Sequence, residues 1–148
     1  MASPGGPSPR VPSPDDLRRA ALEALERAHA PYSRFRVGAA ILDERGRVHR
    51  GANIECVSFP LGSCAEPAAI AHMVMDGGAR VREIAVIARN EREGGAIEPG
   101  VTPCGGCRQR LAEFGDADTR VHLCDASGVA RTVPLGDLFP FGFTAALT

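Results

Sequence analysis

The stretch EIAVIA, residues 83–88, places five apolar side chains in a row behind Glu83. A short, continuous apolar run is typical of a β-strand that is covered on both faces. Such a strand needs a layer of secondary structure on each side of its sheet. The stretch therefore predicts a layered α/β fold in which residues 83–88 form a strand that is covered on both faces.

Two further strands are predicted on the N-terminal side of this run. FRVGAAIL (35–42) and RVHRGANI (47–54) are rich in residues that favour strands. The connection between them, DERG (43–46), is short and ends in glycine. These features predict two strands joined by a tight turn.

The sequence SPDD predicts the start of a helix before these strands. Ser13 is a candidate N-cap, Pro14 suits the first helical position, and Asp16 completes the spacing of a capping box. Apolar residues then recur at helical spacing. Residues 1–13 are rich in Pro, Gly and Ser and predict a disordered tail, which leaves residues 14–148 as a single domain.

The chain after the first hairpin contains two helix patterns and a second hairpin. AEPAAIAHMVMD (65–76) is apolar on nearly all sides, and the glycines at 77–78 predict its C-terminal end. CGGCRQRLAEFG (104–115) predicts a shorter helix, whereas RVHLC (120–124) and VARTV (129–133) predict a closing hairpin. Strands that alternate with helices again favour an α/β fold.

The overall composition excludes several classes of protein. The net charge is −1 and no block of like charges occurs, whereas a nucleic-acid binder usually has a basic face. No apolar run is long enough to cross a bilayer, and the N-terminal residues lack the apolar core of a secretory signal. We therefore expect a cytoplasmic protein with no nucleic-acid or membrane partner.

The cysteines carry the strongest chemical signal in the chain. Five cysteines without an export signal favour metal or redox chemistry over disulfides. Cys64 lies at one predicted helix start, and Cys104 and Cys107 lie one turn apart at another, where N–H groups favour thiolates. Three thiolates match a catalytic zinc site with water in the fourth position. Glu66, two residues after Cys64, is placed to move protons.

Two other interpretations of the cysteines remain open. Cys124 could complete a closed four-cysteine zinc site, which would make the chain an interaction module stabilised by structural zinc. Alternatively, Cys104 and Cys107 could form a redox pair, but Cys64 and Glu66 would then have no role.

The motifs around the cysteines match a known signature. CAE (64–66) followed by PCGGC (103–107) is the three-cysteine form of the zinc deaminase signature. Three further stretches strengthen the match: PYSRFRVGAAI (31–41), GANIE (51–55) and FPLGSCAE (59–66). Over residues 30–143 the chain resembles the small homotetrameric cytidine deaminases. This resemblance implies a three-layer α-β-α sandwich with a central mixed sheet of about five strands, one Zn²⁺ per subunit and a homotetramer.

The resemblance also implies a role for each matching residue. Cys64, Cys104 and Cys107 hold the zinc ion, and Glu66 is the catalytic proton shuttle. The implied substrate-binding residues are Asn53 and Glu55 at the ribose hydroxyls, Phe35 on the pyrimidine ring, the Ala65 backbone N–H at the pyrimidine carbonyl, Phe59 where relatives have Tyr, and Phe143 in a neighbouring subunit's site.

The expected activity is hydrolytic deamination of cytidine and 2′-deoxycytidine, with release of ammonia, in pyrimidine salvage. Cys56, Phe59 and Pro67 stand where the family usually has other residues. A related aminonucleoside, such as blasticidin S or a modified cytidine, therefore stays an alternative substrate.

Overall fold

The computed structural model describes residues 9–144, which form four α-helices and five β-strands. The helices are α1 (Pro14–Leu25), α2 (Ala65–Met75), α3 (Gly105–Phe114) and α4 (Leu135–Leu138). The strands are β1 (Phe35–Asp43), β2 (Val48–Ala52), β3 (Val81–Asn90), β4 (Arg120–Cys124) and β5 (Val129–Pro134). None of the helices in residues 9–144 has both the length and the apolar character needed to span a bilayer.

The five strands form one mixed sheet in the order β2-β1-β3-β4-β5. Strands β3 and β4 are parallel, and every other neighbouring pair is antiparallel. Strand β3 occupies the middle of the sheet, and its residues 83–88 are all buried. The strand covered on both faces that EIAVIA predicts is confirmed, and the structure adds that it lies in the middle of the sheet.

Alternate side chains of β3 supply the two hydrophobic cores of the domain. Ala85 and Ile87 pack on one face with apolar side chains of α1. Ile84 and Val86 pack on the other face with side chains of α2 and α3. Each fully buried Val or Ile side chain stabilises the fold by about 1.5–3 kcal/mol. The three-layer α-β-α sandwich with a mixed sheet is confirmed.

Two glycines allow the helices to approach the sheet closely. A Cβ atom on Gly38 of β1 would lie 1.9 Å from the Ala21 carbonyl oxygen of α1. A Cβ atom on Gly51 of β2 would lie 2.3 Å from the Ala69 nitrogen of α2. Any larger residue would push the helix away from the strand, so these glycines fix how α1 and α2 sit on the sheet.

The predicted helix boundaries are largely confirmed. Ser13 and Asp16 form the capping box of α1, with the Ser13 backbone N–H donating to the Asp16 carboxylate at 2.8 Å. Helix α2 ends before Gly77, which has a φ of +85°, and the Gly78 N–H donates to the Met73 carbonyl at 2.9 Å. This glycine-based C-terminus is the one that the sequence predicted.

Two features differ from the sequence predictions. Strand β2 ends at Ala52 rather than at residue 54, because the Asn53 side chain bonds to the β1 backbone and Ile54 pairs with Ser63 instead. Helix α4 was not predicted, since four residues that include a glycine carry no helical pattern. It is held by tertiary packing, with Leu135 buried in the core.

The predicted tail and the predicted end of the domain are only partly covered. Residues 1–8 and 145–148 lie outside the described residues. Residues 9–12 have no regular secondary structure. The disorder of residues 1–13 therefore stays a prediction.

Candidate metal centre and active site

The N-terminus of α2 supplies one thiol and one carboxyl group. Cys64 is the N-cap residue, and its side chain makes no capping hydrogen bond. Ala65 and Glu66 occupy the first two helical positions, and both are buried. Pro67 follows within the first turn, where its missing N–H leaves no helical hydrogen bond unmade. The unusual proline is therefore compatible with the start of this helix.

The N-terminus of α3 supplies the other two thiols. Cys104 is its N-cap residue and also makes no capping hydrogen bond, while Cys107 lies three residues further along and is buried. Helix α3 packs beside α2 on the same face of the sheet, because Leu111 and Ala69 belong to the same core cluster. Tertiary packing thus brings the two helix starts together.

The three sulfur atoms have a spacing that suits a zinc ion. The thiols of Cys64, Cys104 and Cys107 all lie within 4.8 Å of one another, and the Cys64 and Cys104 sulfurs are 4.0 Å apart. Tetrahedral Zn–S bonds of about 2.3 Å place two sulfurs about 3.8 Å apart. The donor type and the spacing therefore fit zinc with three protein ligands.

The three thiols differ in how readily they ionise. Burial raises the pKa of Cys64 and of Cys107 above the usual value for a thiol. Burial also acts on Cys104, but hydrogen bonds from the Cys107 backbone and from the neighbouring thiols bring its net pKa below the usual value. Three thiolates so close together repel one another, so binding a divalent cation stabilises the fully ionised set and releases protons.

Glu66 lies beside these thiols. Its carboxylate oxygen Oε2 accepts a hydrogen bond from the Cys107 thiol over 3.4 Å, and its exposed fraction is only 4%. Burial raises the pKa of Glu66, although hydrogen bonds from its own backbone N–H and from Cys107 oppose the rise. A carboxyl group with few partners in a buried site has the environment of a general acid and base.

A cavity of about 680 Å³ opens onto this cluster. Cys64, Cys104 and Glu66 line it, whereas Cys107 is not among its lining residues. Its size falls in the range of small-molecule sites, which is about 300–1,000 Å³. Five of the six predicted substrate-binding residues also line it: Phe35, Asn53, Glu55, Phe59 and Ala65.

Asn53 and Glu55 are fixed by backbone hydrogen bonds from the neighbouring strand and loop. The Asn53 side chain accepts from the Val37 N–H at 2.8 Å and donates to the Phe35 carbonyl at 2.9 Å. Glu55 Oε1 accepts from the N–H groups of Tyr32 and Ser33, both at 3.1 Å. An amide and a carboxylate can make further hydrogen bonds, so both retain capacity for a ligand.

The ionisation of Glu55 contrasts with that of Glu66. Hydrogen bonds from Ser33 and from the Tyr32 backbone lower the pKa of Glu55 despite partial desolvation. Glu55 is therefore a carboxylate at neutral pH. An ionised carboxylate is an acceptor only, which suits it to hydroxyl groups of a ligand.

Phe59 and Phe143 are both exposed, but only Phe59 lines the cavity. Phe59 is 70% exposed, and its ring meets that of Tyr32 edge-on with centroids 5.5 Å apart. Phe143 does not line the cavity. It is 77% exposed, and its carbonyl accepts a hydrogen bond from Gln109 at 2.9 Å.

Cys124 lies on the opposite side of the sheet from the thiols of Cys64, Cys104 and Cys107. It packs in the core cluster beneath α1, among Ala85 and Ile87. Burial raises the pKa of this thiol to about 11. The alternative of a closed four-cysteine site is wrong, because the sheet separates Cys124 from the other three cysteines.

Several cavity residues were missed by the sequence analysis. Tyr32 and Ser33 lie within a stretch that the resemblance had already marked, so the signal was present. Arg92, from the 3₁₀ turn after β3, also lines the cavity and donates to the Tyr32 carbonyl at 2.6 Å. Nothing in the sequence singled it out, because the polar loop that carries it has no recognisable pattern.

Comparisons with known proteins identify the family of this chain. The model of the family described as "Cytidine and deoxycytidylate deaminase zinc-binding region" matches residues 13–123. A cytidine deaminase of Halalkalibacterium halodurans is 43% identical over 87% of this chain and 92% of its own length. The zinc ion that gives the family region its description fits the cluster of three thiols.

Solved structures show the same architecture. The cytidine deaminase of Burkholderia pseudomallei superposes with a TM-score of 0.76 at 37% identity, over 86% of this chain and 96% of that one. The cytidine deaminase of Mycobacterium tuberculosis superposes with a TM-score of 0.73 at 38% identity, over 87% of this chain and 95% of that one. From the matched region, the sequence identity and the shared fold, we conclude that this chain belongs to the zinc-binding cytidine and deoxycytidylate deaminase family.

Proposed function

We propose that this protein catalyses the zinc-dependent hydrolytic deamination of cytidine and 2′-deoxycytidine to uridine and 2′-deoxyuridine. One observation carries the proposal. A buried carboxyl group, Glu66, accepts a hydrogen bond from Cys107, one of three clustered thiols, and together with the other two it lines a cavity of about 680 Å³. Deamination requires this combination of a metal, a proton carrier and room for a nucleoside.

Cys64, Cys104 and Cys107 would hold the zinc ion. When bound, zinc supplies a water molecule that is activated near neutral pH. Two of the ligands lie at N-cap positions, where the free N–H groups of α2 and α3 partly offset the negative charge of the thiolates. The sheet and the two helices enclose the site from the protein side, which leaves the cavity as the route for substrate.

Glu66 would carry the protons of the reaction. Hydrolytic deamination needs one proton on the ring nitrogen N3 and another on the leaving amino group. A single carboxyl group can collect them from the attacking water and deliver them in turn. The burial of Glu66 limits competition from bulk solvent, and its contact with Cys107 directs the carboxyl group towards the metal site.

The other cavity residues would orient the nucleoside. The Ala65 N–H belongs to the first turn of α2, where backbone donors have no helical partner, so it can donate to the pyrimidine carbonyl oxygen. Phe35 would pack on the ring, and Asn53 and Glu55 would bind the ribose hydroxyls. Because Asn53 and Glu55 are already held by the backbone, they would be ordered before substrate binds.

We also propose a homotetramer. Four large apolar side chains between β2 and α2 are strongly exposed: Ile54 at 55%, Val57 at 78%, Phe59 at 70% and Leu61 at 75%. An exposed apolar cluster beside a cavity is typical of an interface. A neighbouring subunit would cover this cluster and could bring its Phe143 to the cavity. Sedimentation equilibrium tests the proposal, and a monomer with full activity would contradict it.

The cellular setting that we propose is pyrimidine salvage in the cytoplasm. All five cysteines are free thiols. Thiolates that bind zinc persist in a reducing compartment, whereas oxidising compartments favour disulfides. Localisation of the tagged full-length chain would test this setting.

The test of the activity is the loss of ultraviolet absorbance on incubation with cytidine, 2′-deoxycytidine or blasticidin S. We expect turnover of the first two nucleosides and none with Glu66→Ala. If only blasticidin S were turned over, the proposed reaction would stand, but the proposed substrate would be wrong. No turnover of any nucleoside by the zinc-loaded protein would contradict the proposal.

A further inference from the structure

Arg108 occupies an unusual position directly after Cys107. It lies in the first turn of α3 and is half-buried, and its guanidinium group donates to three groups in two segments of the chain. Nε donates to the Pro103 carbonyl at 2.8 Å, Nη1 to the Leu138 carbonyl at 2.7 Å, and Nη2 to the Thr102 hydroxyl at 3.4 Å. The planar, forked shape of a guanidinium group makes such divergent donation possible.

The start of α3 needs support of this kind. A helix usually begins with a side chain that caps its free N–H groups. Cys104 holds the N-cap position but makes no capping hydrogen bond, since its sulfur belongs to the thiol cluster. The entry of the chain into α3 must therefore be fixed from elsewhere. The bond from Arg108 to Pro103, the residue just before Cys104, does this.

The bond to Leu138 connects the metal-binding turn to a rigid part of the domain. Leu138 is the last residue of α4, where the carbonyl group has no partner within the helix. Helix α4 is anchored in the core, because Leu135 is 2% exposed and both Leu138 and Phe139 pack against the same cluster. Arg108 thus ties the chain around Cys104 to a helix that the core holds in place.

We propose that Arg108 is a positioning residue that holds the Cys104–Cys107 turn against α4 and thereby sets how tightly the chain retains zinc. This inference rests on the proposed function only in that zinc binds at the three cysteines. Arg108 does not itself line the cavity, and its side chain donates to Pro103, Leu138 and Thr102 and not to the thiols, so it acts through the chain on either side of the ligand-bearing turn. Residues that orient metal ligands in this way typically change metal affinity by about 10–100-fold when replaced.

The experiment compares R108K, R108Q and R110Q by competition of zinc-loaded protein with a chelator. R108K keeps the positive charge but lacks the planar fork that reaches residues 102–103 and Leu138 at the same time. R110Q removes the same charge from an exposed arginine of the same helix, whose side chain makes no hydrogen bond or ion pair among residues 9–144. We expect R108Q and R108K to release zinc at a chelator concentration about 10-fold or more below that of the wild type, and R110Q to match the wild type.

Three outcomes would overturn the inference. Wild-type zinc retention in both variants of Arg108 would show that the fork has no role. If R108K retained zinc as the wild type does and R108Q lost it, the effect would come from the positive charge and not from the fork. The same conclusion would follow if R110Q lost zinc as readily as R108Q. If R108Q does not fold, R108K decides alone. A wild-type protein that binds no zinc would instead contradict the proposed function itself.

A second measurement tests the connection to α4 without any assay of activity. Coupling between two sites is reciprocal, so zinc that is held through Arg108 should in turn stabilise α4. The Phe139 N–H donates to Leu135 within this helix. We expect zinc loading to slow hydrogen exchange at the Phe139 amide in the wild type and not in R108K. Equal slowing in both proteins would overturn the inference.

Discussion

The two ends of helix α2 each meet a buried carboxyl group, and the two groups behave in opposite ways. Glu66, at the N-terminal end, is 4% exposed, and Asp43, from the end of β1 near the C-terminal end, is 0% exposed. Burial raises the pKa of Glu66. Burial acts in the same direction on Asp43, yet the net pKa of Asp43 lies well below its usual range. Burial alone therefore does not determine the chemistry of these carboxyl groups.

The difference lies in the hydrogen-bond partners. Asp43 Oδ2 contacts His49 Nε2 at 2.8 Å and Arg45 Nη2 at 2.7 Å, and Oδ1 accepts from the Arg45 and Arg47 N–H groups. Arg45 also donates to the Asp76 carbonyl just beyond α2. Glu66, by contrast, has its own N–H and one thiol. One end of α2 is a closed structural cluster, and the other end keeps a carboxyl group available for reaction.

Removal of zinc is expected to have the largest effect on the reactive end. A chelator should reduce deamination to background while circular dichroism and the order of the sheet are largely kept, because neither core cluster of the domain includes Cys64, Cys104 or Cys107. Readdition of Zn²⁺ should restore turnover. Complete unfolding on zinc removal would instead indicate a structural metal. Both ends of α2 would then serve stability, and the contrast between them would not hold.

Glu66→Gln should have the next largest effect. The amide keeps the shape of the side chain but cannot carry protons, so we expect kcat to fall by about 10²–10⁴-fold with zinc content unchanged. Steady-state kinetics with cytidine and metal analysis measure the two quantities. A variant that retains more than a tenth of the wild-type kcat would show that Glu66 is not the proton carrier.

Asp43→Asn should affect stability and not chemistry. It removes one charge of a buried, hydrogen-bonded cluster, which typically costs about 3–5 kcal/mol of the free energy of unfolding. Urea denaturation measures this loss, and kcat at a temperature where the variant is folded should stay near the wild-type value. The exposed Asp118 offers a matched control, since Asp118→Asn should change stability by less than about 0.5 kcal/mol. A large fall in kcat for Asp43→Asn would contradict the contrast, because it would show that the carboxyl group at the C-terminal end of α2 also supports the reaction.

The pH dependence of stability gives the smallest and most specific signal. The pKa of Asp43 is lower in the folded state than in the unfolded state, where it is about 3.9. The contribution of Asp43 to the free energy of unfolding is therefore fully present above about pH 3.9, and it is lost as the pH falls below that value. The stability difference between the wild type and Asp43→Asn should therefore shrink between about pH 5 and pH 2. Urea titrations across this range test the sign. A difference that grows with acid would contradict the assignment of a lowered pKa.

The sequence was sufficient for the local elements that have a clear pattern. The apolar run at 83–88 predicted a strand covered on both faces, SPDD predicted a capped helix, and the paired glycines predicted the end of α2, because each depends on residues close together in the chain. Helix α4 and the early end of β2 could not be predicted in this way. Helix α4 forms because Leu135 is buried in the core. Strand β2 ends before Asn53 because the Asn53 side chain accepts a hydrogen bond from the backbone of β1.

The sequence by itself determined the kind of chemistry, since three cysteines and one glutamate at helix starts suit few reactions besides those of zinc. Only the tertiary structure decided which thiols share a site, because the sheet puts Cys124 on one face and Cys64, Cys104 and Cys107 on the other. Only the tertiary structure shows which groups accept hydrogen bonds from Arg108 and Arg92. Sequence patterns report local geometry, whereas the distance between residues far apart in the chain is set by how helices and strands pack.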